Sequence, residues 1–188
     1  MTENNLFTPI TIGELSLSHR VVMAPLTRMR ATVPGNVPNE MMAQYYGQRA
    51  SAGGLIIAEA SPVSEDGRGA PCTPGSHSPE QIAGWKLITN AVHAKDGKIF
   101  LQLWHMGRLS HQSHQPDGKL PIAPSPIAAN TEVMTTEFER VPCPTPRALE
   151  TEEIPDLIER YVHAARSAME AGFDGVEIHA ANGYLLEQ

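Results

Sequence analysis

Four short, nearly continuous apolar runs recur along the chain: Val21-Val22-Met23-Ala24, Leu55-Ile56-Ile57-Ala58, Ile99-Phe100-Leu101-Gln102-Leu103 and Gly175-Val176-Glu177-Ile178. A strand with one wet face alternates apolar and polar residues, whereas a run apolar throughout suits a strand covered on both faces. Each run is separated from the next by a segment long enough to hold a helix. Parallel neighbours need crossovers of that length, so the pattern predicts repeated parallel βαβ units.

The crossovers carry helix ends. Asn39 is placed to cap a run from Glu40 to Ala50 that closes on Ser51-Ala52-Gly53-Gly54. Ser78-Pro79-Glu80-Gln81 combines a cap, an N1 proline and a Gln at the third position, a capping box opening a helix to about Ala94. Ile154, Leu157, Ile158, Tyr161, Val162, Ala165, Ala168 and Met169 recur at three- and four-residue spacing, which predicts an amphipathic helix with Thr151 as its cap and Gly172 at its end. Ile10 to Leu15 predicts a small hairpin across the bottom of a barrel. From His105 to Glu150 the chain is dense in Pro, Ser and His and reads as a long functional loop at a strand's C-terminal end.

The expected class is therefore α/β, a (β/α)8 TIM barrel of which this chain supplies the N-terminal hairpin and about the first four β/α units. A closed barrel of this kind needs eight strands and about 250 residues. Residues 1–188 are accordingly expected to form the N-terminal half of a single domain, with the C-terminal half either simply absent here or supplied by a complementary chain.

Charge narrows the function classes. The net charge is −7 and the 14 Lys and Arg residues form no run, so the chain offers no cationic surface for a nucleic-acid backbone. No window approaches the roughly 18 apolar residues of a membrane span, and Met1 to Asn5 does not read as the opening of a signal sequence, so a cytoplasmic location is expected. Cys72 and Cys143 lie far apart in Pro-rich segments and are expected to be free surface or loop thiols.

Three strand ends carry chemistry-bearing residues. Met23-Ala24-Pro25-Leu26-Thr27-Arg28-Met29-Arg30 turns a buried strand through a proline into a hydroxyl and two guanidiniums. In Gln102-Leu103-Trp104-His105-Met106-Gly107-Arg108, alternation points Gln102 and Trp104 to the same side. A buried amide there must be hydrogen-bonded, either to a neighbouring backbone group or to the edge of a planar heterocycle. Glu177-Ile178-His179-Ala180-Ala181-Asn182-Gly183-Tyr184 delivers an imidazole, an amide and a phenol within six residues. His179 and Asn182 can polarise a substrate oxygen and Tyr184 can supply a proton. Taken singly, each is more readily read as a turn or core residue.

Together, in order and spacing, these motifs resemble the Old Yellow Enzyme family from about Leu6 to Gln188. Gly54-Leu55-Ile56-Ile57-Ala58-Glu59-Ala60, Pro74-Gly75-Ser76-His77-Ser78, Gln81-Ile82-Ala83-Gly84-Trp85 and Pro146-Arg147-Ala148-Leu149-Glu150 support it. The resemblance implies an FMN-dependent ene-reductase that takes hydride from NADPH or NADH and reduces activated alkenes such as enals, enones, imides and nitroalkenes. It implies that Pro25, Leu26 and Ala60 line the flavin, that Thr27 bonds its C4 carbonyl oxygen, and that Gln102 reads its pyrimidine edge. It further implies that His179 and Asn182 hold the substrate oxygen, that Tyr184 donates the proton, and that Trp104 walls the substrate pocket. No metal is implied. One departure stands out: where many relatives have a pocket tyrosine after the second strand, the place falls near Ala70.

Two other readings stay open at this point. A metal hydrolase would use His105, His111, His114 and His179, although His111 and His114 lack an obvious carboxylate partner in sequence. A non-catalytic half-barrel would need its complement before binding FMN, because the phosphate loops of such barrels follow strands seven and eight.

Overall fold

The computed structural model describes residues 5–188. An antiparallel hairpin, β1 (Ile10–Ile12) with β2 (Leu15–Leu17), turns through Gly13 at φ +59. Ser18 then donates from its backbone to Gly53 and from its hydroxyl to Ala52, just ahead of the second barrel strand, so the hairpin is tied to the N-terminal end of the sheet.

The barrel strands are β3 (Val22–Met23), β4 (Leu55–Pro62), β5 (Lys98–Trp104) and, after the small strands described below, β10 (Gly175–Ile178). They form one sheet in the order β10-β5-β4-β3, parallel throughout. Helices α1 (Glu40–Gly47), α2 (Pro79–His93) and α3 (Ile154–Glu170) cover one face. Ile56, Ala58, Ile99, Leu101 and Leu103 of the strands pack there with Met42, Tyr46, Trp85, Ile88, Val92, Ala164 and Ala168 of the helices. Trp85 anchors this core, its indole N–H donating to the Gly75 carbonyl at 2.9 Å and its ring meeting Phe173 edge-on. The other face, the barrel interior, has no such cover: Val22 is 39% exposed, and Ile57, Phe100 and Glu177 are only half-buried.

Helix starts follow the sequence in two cases of three. Asn39 accepts the Met42 N–H, and Ser78 with Gln81 closes a capping box. The third start differs from expectation. Thr151 lies inside a short 3-10 turn that opens at Glu150, whose backbone N–H donates to the Glu153 carboxylate while Arg147 grips that carboxylate with two nitrogens. A carboxylate can cap a helix start as a hydroxyl does, and favours the positive end of the helix dipole. Gly172, at φ +88, ends α3, with Phe173 N–H returning to the Ala168 carbonyl and Gly172 N–H to Met169. The predicted apolar stripe of α3 is only partly used: Leu157, Ala164 and Ala168 are buried, but Ile158 and Met169 are exposed.

The segment after β5 is more ordered than its composition suggests. It holds β6 (Ile122–Ala123) paired in parallel with β9 (Arg147–Ala148), and a hairpin of β7 (Glu132–Met134) with β8 (Arg140–Pro142). His114 pins the hairpin by donating from Nε2 to the Met134 carbonyl at 2.6 Å, and Arg108 donates to the Ile127 carbonyl. Cys143 is buried here, not at the surface; Cys72 is half-buried, and both thiols are free.

Among the described residues no helix is long and apolar enough to cross a membrane.

Candidate active site

The C-terminal ends of the four barrel strands meet at one cavity of about 630 Å³, and every residue to which the resemblance gives a flavin or substrate role lines it: Pro25, Leu26, Thr27, Ala60, Gln102, Trp104, His179, Asn182 and Tyr184. Ala180, Ala181, Ile178 and Glu177 complete the wall.

Strand register explains why. Gln102 and Trp104 alternate with Leu101 and Leu103, which are in the helix-side core, so both point into the barrel. On β4, strict alternation from Ala58 would turn Glu59 into the cavity and Ala60 towards the helices. The opposite is found. Pairing runs Ala58↔Leu101 and then Ser61↔Leu103, so Glu59 and Ala60 together face Gln102 in a bulge. Ala60 thereby joins Trp104 and Met106 at the cavity, while Glu59 meets Tyr46 of α1.

Glu59 then organises the first strand end. Fully buried, it accepts the Tyr46 hydroxyl at Oε1 (3.2 Å) and the Arg28 backbone N–H at Oε2 (3.1 Å), while its own N–H donates to the Tyr46 oxygen (2.9 Å). Burial pushes its carboxyl above the ordinary carboxylate value, against the pull of the Arg28 and Tyr46 donors. Since Arg28 follows Thr27, this contact holds the turn that presents the threonine.

The third strand end is held from below. His179 N–H continues the ladder to the Leu103 carbonyl, and Leu185 N–H bonds the His105 carbonyl. Asn182 and Gly183 both take positive φ, the tight turn an Asn-Gly pair permits. Gln188 clamps this turn to the β5 loop, accepting the Arg108 N–H and donating to the Met106 and Gly183 carbonyls. Trp104, His179 and Tyr184 consequently form an aromatic cluster: Tyr184 stands edge-on to Trp104 at 4.9 Å and to His179 at 4.8 Å. Burial raises the Tyr184 phenol above its ordinary value, which keeps it protonated at neutral pH. Ala70 packs against the same cluster.

Much hydrogen-bonding capacity here is unspent. Among the described residues no protein group bonds the side chains of Thr27, His179 or Asn182, and the Trp104 indole N–H is buried without a partner. Thr27 and His179 are half-buried and Asn182 exposed, while the buried indole N–H is the one that needs a ligand or water. Gln102 is the exception, since its Nε2 donates to Glu177 Oε1 at 2.7 Å. Sequence reasoning passed over Glu177, Glu59 and Gln188; the register opposite Gln102 was the one available signal for Glu177.

The histidines of the metal reading do not converge. His105 is buried and accepts the Gly107 N–H at Nδ1, with its pKa pulled down to about 4 by burial. His114 is committed to Met134, His111 to Ser113, and only His179 reaches the cavity. Among the described residues no group of three or more His, Cys, Asp or Glu is placed to hold a metal.

With this geometry in hand, the comparisons with known proteins are specific. The sequence profile of the NADH:flavin oxidoreductase / NADH oxidase family matches residues 5–188. The chain is 50% identical over 183 residues to 12-oxophytodienoate reductase 1 of Oryza sativa subsp. japonica, a match covering 97% of this chain and 46% of the relative. It is 48% identical over 187 residues to flavin oxidoreductase hxnT of Emericella nidulans, covering 97% and 47%. A structure of morphinone reductase in complex with tetrahydroNAD superposes with a TM-score of 0.91 at 53% identity, covering 96% of this chain and 50% of that one. The parallel sheet is thus part of a TIM barrel, and the chain spans about half the length of the curated relatives it matches.

Proposed function

The chain belongs to the NADH:flavin oxidoreductase / NADH oxidase family, and from that membership we propose that it forms the N-terminal half of an Old Yellow Enzyme-like, FMN-dependent ene-reductase. The observation that carries the reading is the convergence of unpartnered Thr27, His179, Asn182 and Trp104 polar groups with the Gln102 amide on one cavity at the strand ends. That donor and acceptor set fits a planar heterocycle: Pro25, Leu26 and the small Ala60 offer flat apolar contact, Thr27 a hydroxyl for a ring carbonyl, and Gln102 an amide for an edge bearing both N–H and C=O.

Bound there, FMN supplies the hydride chemistry, drawing on NADPH or NADH and serving an activated alkene. The chain's own residues do the rest. His179 and Asn182 donate to the substrate's carbonyl or nitro oxygen and draw charge towards it, as an oxyanion hole does. Tyr184, held edge-on between two rings and kept protonated by burial, delivers a proton from its hydroxyl to the α-carbon. Trp104 walls the substrate side.

The same reading gives the chain a partner. The outer edges of β3 and β10 pair with no other strand among the described residues, Val22 and Ile178 are exposed beside them, and Ile158 and Met169 leave α3 with an uncovered apolar stripe. A complementary C-terminal half-barrel would cover these surfaces and supply the phosphate loops, so FMN binding and activity require both halves.

The test is to mix this chain with a C-terminal half-barrel from a relative and follow flavin fluorescence quenching and NAD(P)H-dependent loss of a model enone. Flavin retention and turnover only in the mixture are expected. No flavin retention in either sample would refute the assignment, and full activity of the isolated chain would refute the need for a partner.

A further inference from the structure

We propose that Glu177 is a positioning residue that fixes which way round the Gln102 amide faces the cavity, so that its carbonyl oxygen meets a ring N–H. The inference rests on the FMN reading above and deepens it. Glu177 and Gln102 are register partners on the parallel strands β10 and β5, on the same side of the sheet, and both line the cavity. The contact between them is short, Nε2 to Oε1 at 2.7 Å.

An amide side chain is nearly symmetric in shape, and without a discriminating partner its two orientations are close in energy. A carboxylate discriminates because it carries acceptors only. With Glu177 opposite, the NH2 end must face it; the flipped amide would set two acceptors against each other in a site where Gln102 is only 7% exposed. The orientation is therefore dictated by chemistry and not by the resemblance. Gln102 Oε1, which bonds no other described residue, is left as an acceptor towards the cavity, and the second N–H of the amide remains as a donor beside it. A ring edge that presents N–H next to C=O matches this pair in one order only. Glu177 sets that order and so selects an imide edge over one in which the N–H is missing.

The test uses two measurements. On this chain, the Gln102 side-chain NH2 is observed by NMR: slow exchange with solvent is expected, and exchange as fast as that of an exposed amide would overturn the proposal whatever the variants do. On the barrel assembled with its complementary half, binding of FMN is compared with binding of 3-methyl-FMN, which lacks the ring N–H. The native chain should favour FMN by about tenfold, the value of one neutral hydrogen bond. In Glu177→Lys, whose ammonium carries donors only and so turns the Gln102 carbonyl away from the ring, that ratio should fall towards one. A general loss of fold or packing would weaken both flavins together and leave the ratio intact, and an unchanged ratio in a folded variant overturns the proposal. A native barrel that binds neither flavin, with the Gln102 amide still protected, sinks the FMN reading itself and takes the proposal with it, a failure distinguishable from the others.

Discussion

Replacing Glu59 by Ala tests whether the bulge on β4 serves the site or merely decorates the strand. The side chain is fully buried and accepts two hydrogen bonds, from the Tyr46 hydroxyl and the Arg28 N–H. Truncation leaves both donors without acceptors. A buried donor left unpaired costs about 1 to 3 kcal/mol, so the pair costs roughly 2 to 4 kcal/mol once partial access of water to Arg28 is allowed for. Glu59→Gln keeps one acceptor oxygen and should lose about half as much. Urea unfolding followed by far-UV circular dichroism measures both. A pH series separates the charge from the geometry. Because the folded state raises the Glu59 pKa, it holds that proton more tightly than the unfolded chain does. The stability so contributed is fully present below the ordinary carboxylate value and is lost as pH rises through the folded value. The native chain should therefore weaken over that window, and Glu59→Gln should not show this component. An Ala variant within about 0.5 kcal/mol of the native chain, the range of ordinary surface substitutions, would refute the argument that this carboxylate holds the Thr27 turn.

In the barrel assembled with its complementary half, Tyr184→Phe keeps the edge-on packing against Trp104 and His179 but removes the proton, so stopped-flow measurement should show alkene reduction slowed by about 10² to 10⁴ with flavin reduction by NAD(P)H unchanged; equal slowing of both half-reactions contradicts the assigned role. Ala70→Tyr returns a phenol to the side of the cavity where Ala70 packs, and steady-state kinetics with enones of graded size should show KM and substrate preference moving more than kcat for the smallest substrate. Gly84→Ala would ordinarily stabilise a helix by up to about 1 kcal/mol, but here the added Cβ would run into the Pro38 carbonyl, so thermal unfolding should show a net loss of about 1 to 3 kcal/mol. A rise in Tm for that variant would mean that α2 can move away from the Pro38 segment freely.

How far the sequence reveals this molecule depends on whether the governing rule is local. The barrel strands, the Asn39 cap and the Ser78 capping box follow from residues within a turn of one another, and Gln102 with Trp104 follows from simple alternation. Residues whose role depends on a cross-strand or cross-loop neighbour were opaque. Thr151 has the hydroxyl a cap needs, yet the turn opens at Glu150, whose backbone N–H meets the Glu153 carboxylate that Arg147 holds. The His105 to Glu150 segment read as loop because strands of two or three residues carry no periodicity, and its order comes from single long-range ties such as His114 to Met134.

The bulge shows why the site was harder to read than the sheet. Alternation is a rule with a period of two, and one extra residue inverts it for everything downstream. By pattern alone Glu59 belongs in the cavity, where it would have looked like a catalytic carboxylate, and Ala60 belongs in the core. The slip between Ala58 and Ser61 exchanges them. It moves a charge away from the place a flat ring would occupy, leaves a methyl group there, and spends the carboxylate on the neighbouring strand end. Glu177, with no bulge before it on β10, stays on the cavity side and is engaged in a different way, by a hydrogen bond across the ladder from Gln102. Two acidic residues near one strand-end cavity thus end in opposite roles, and register, not residue type, decides between them.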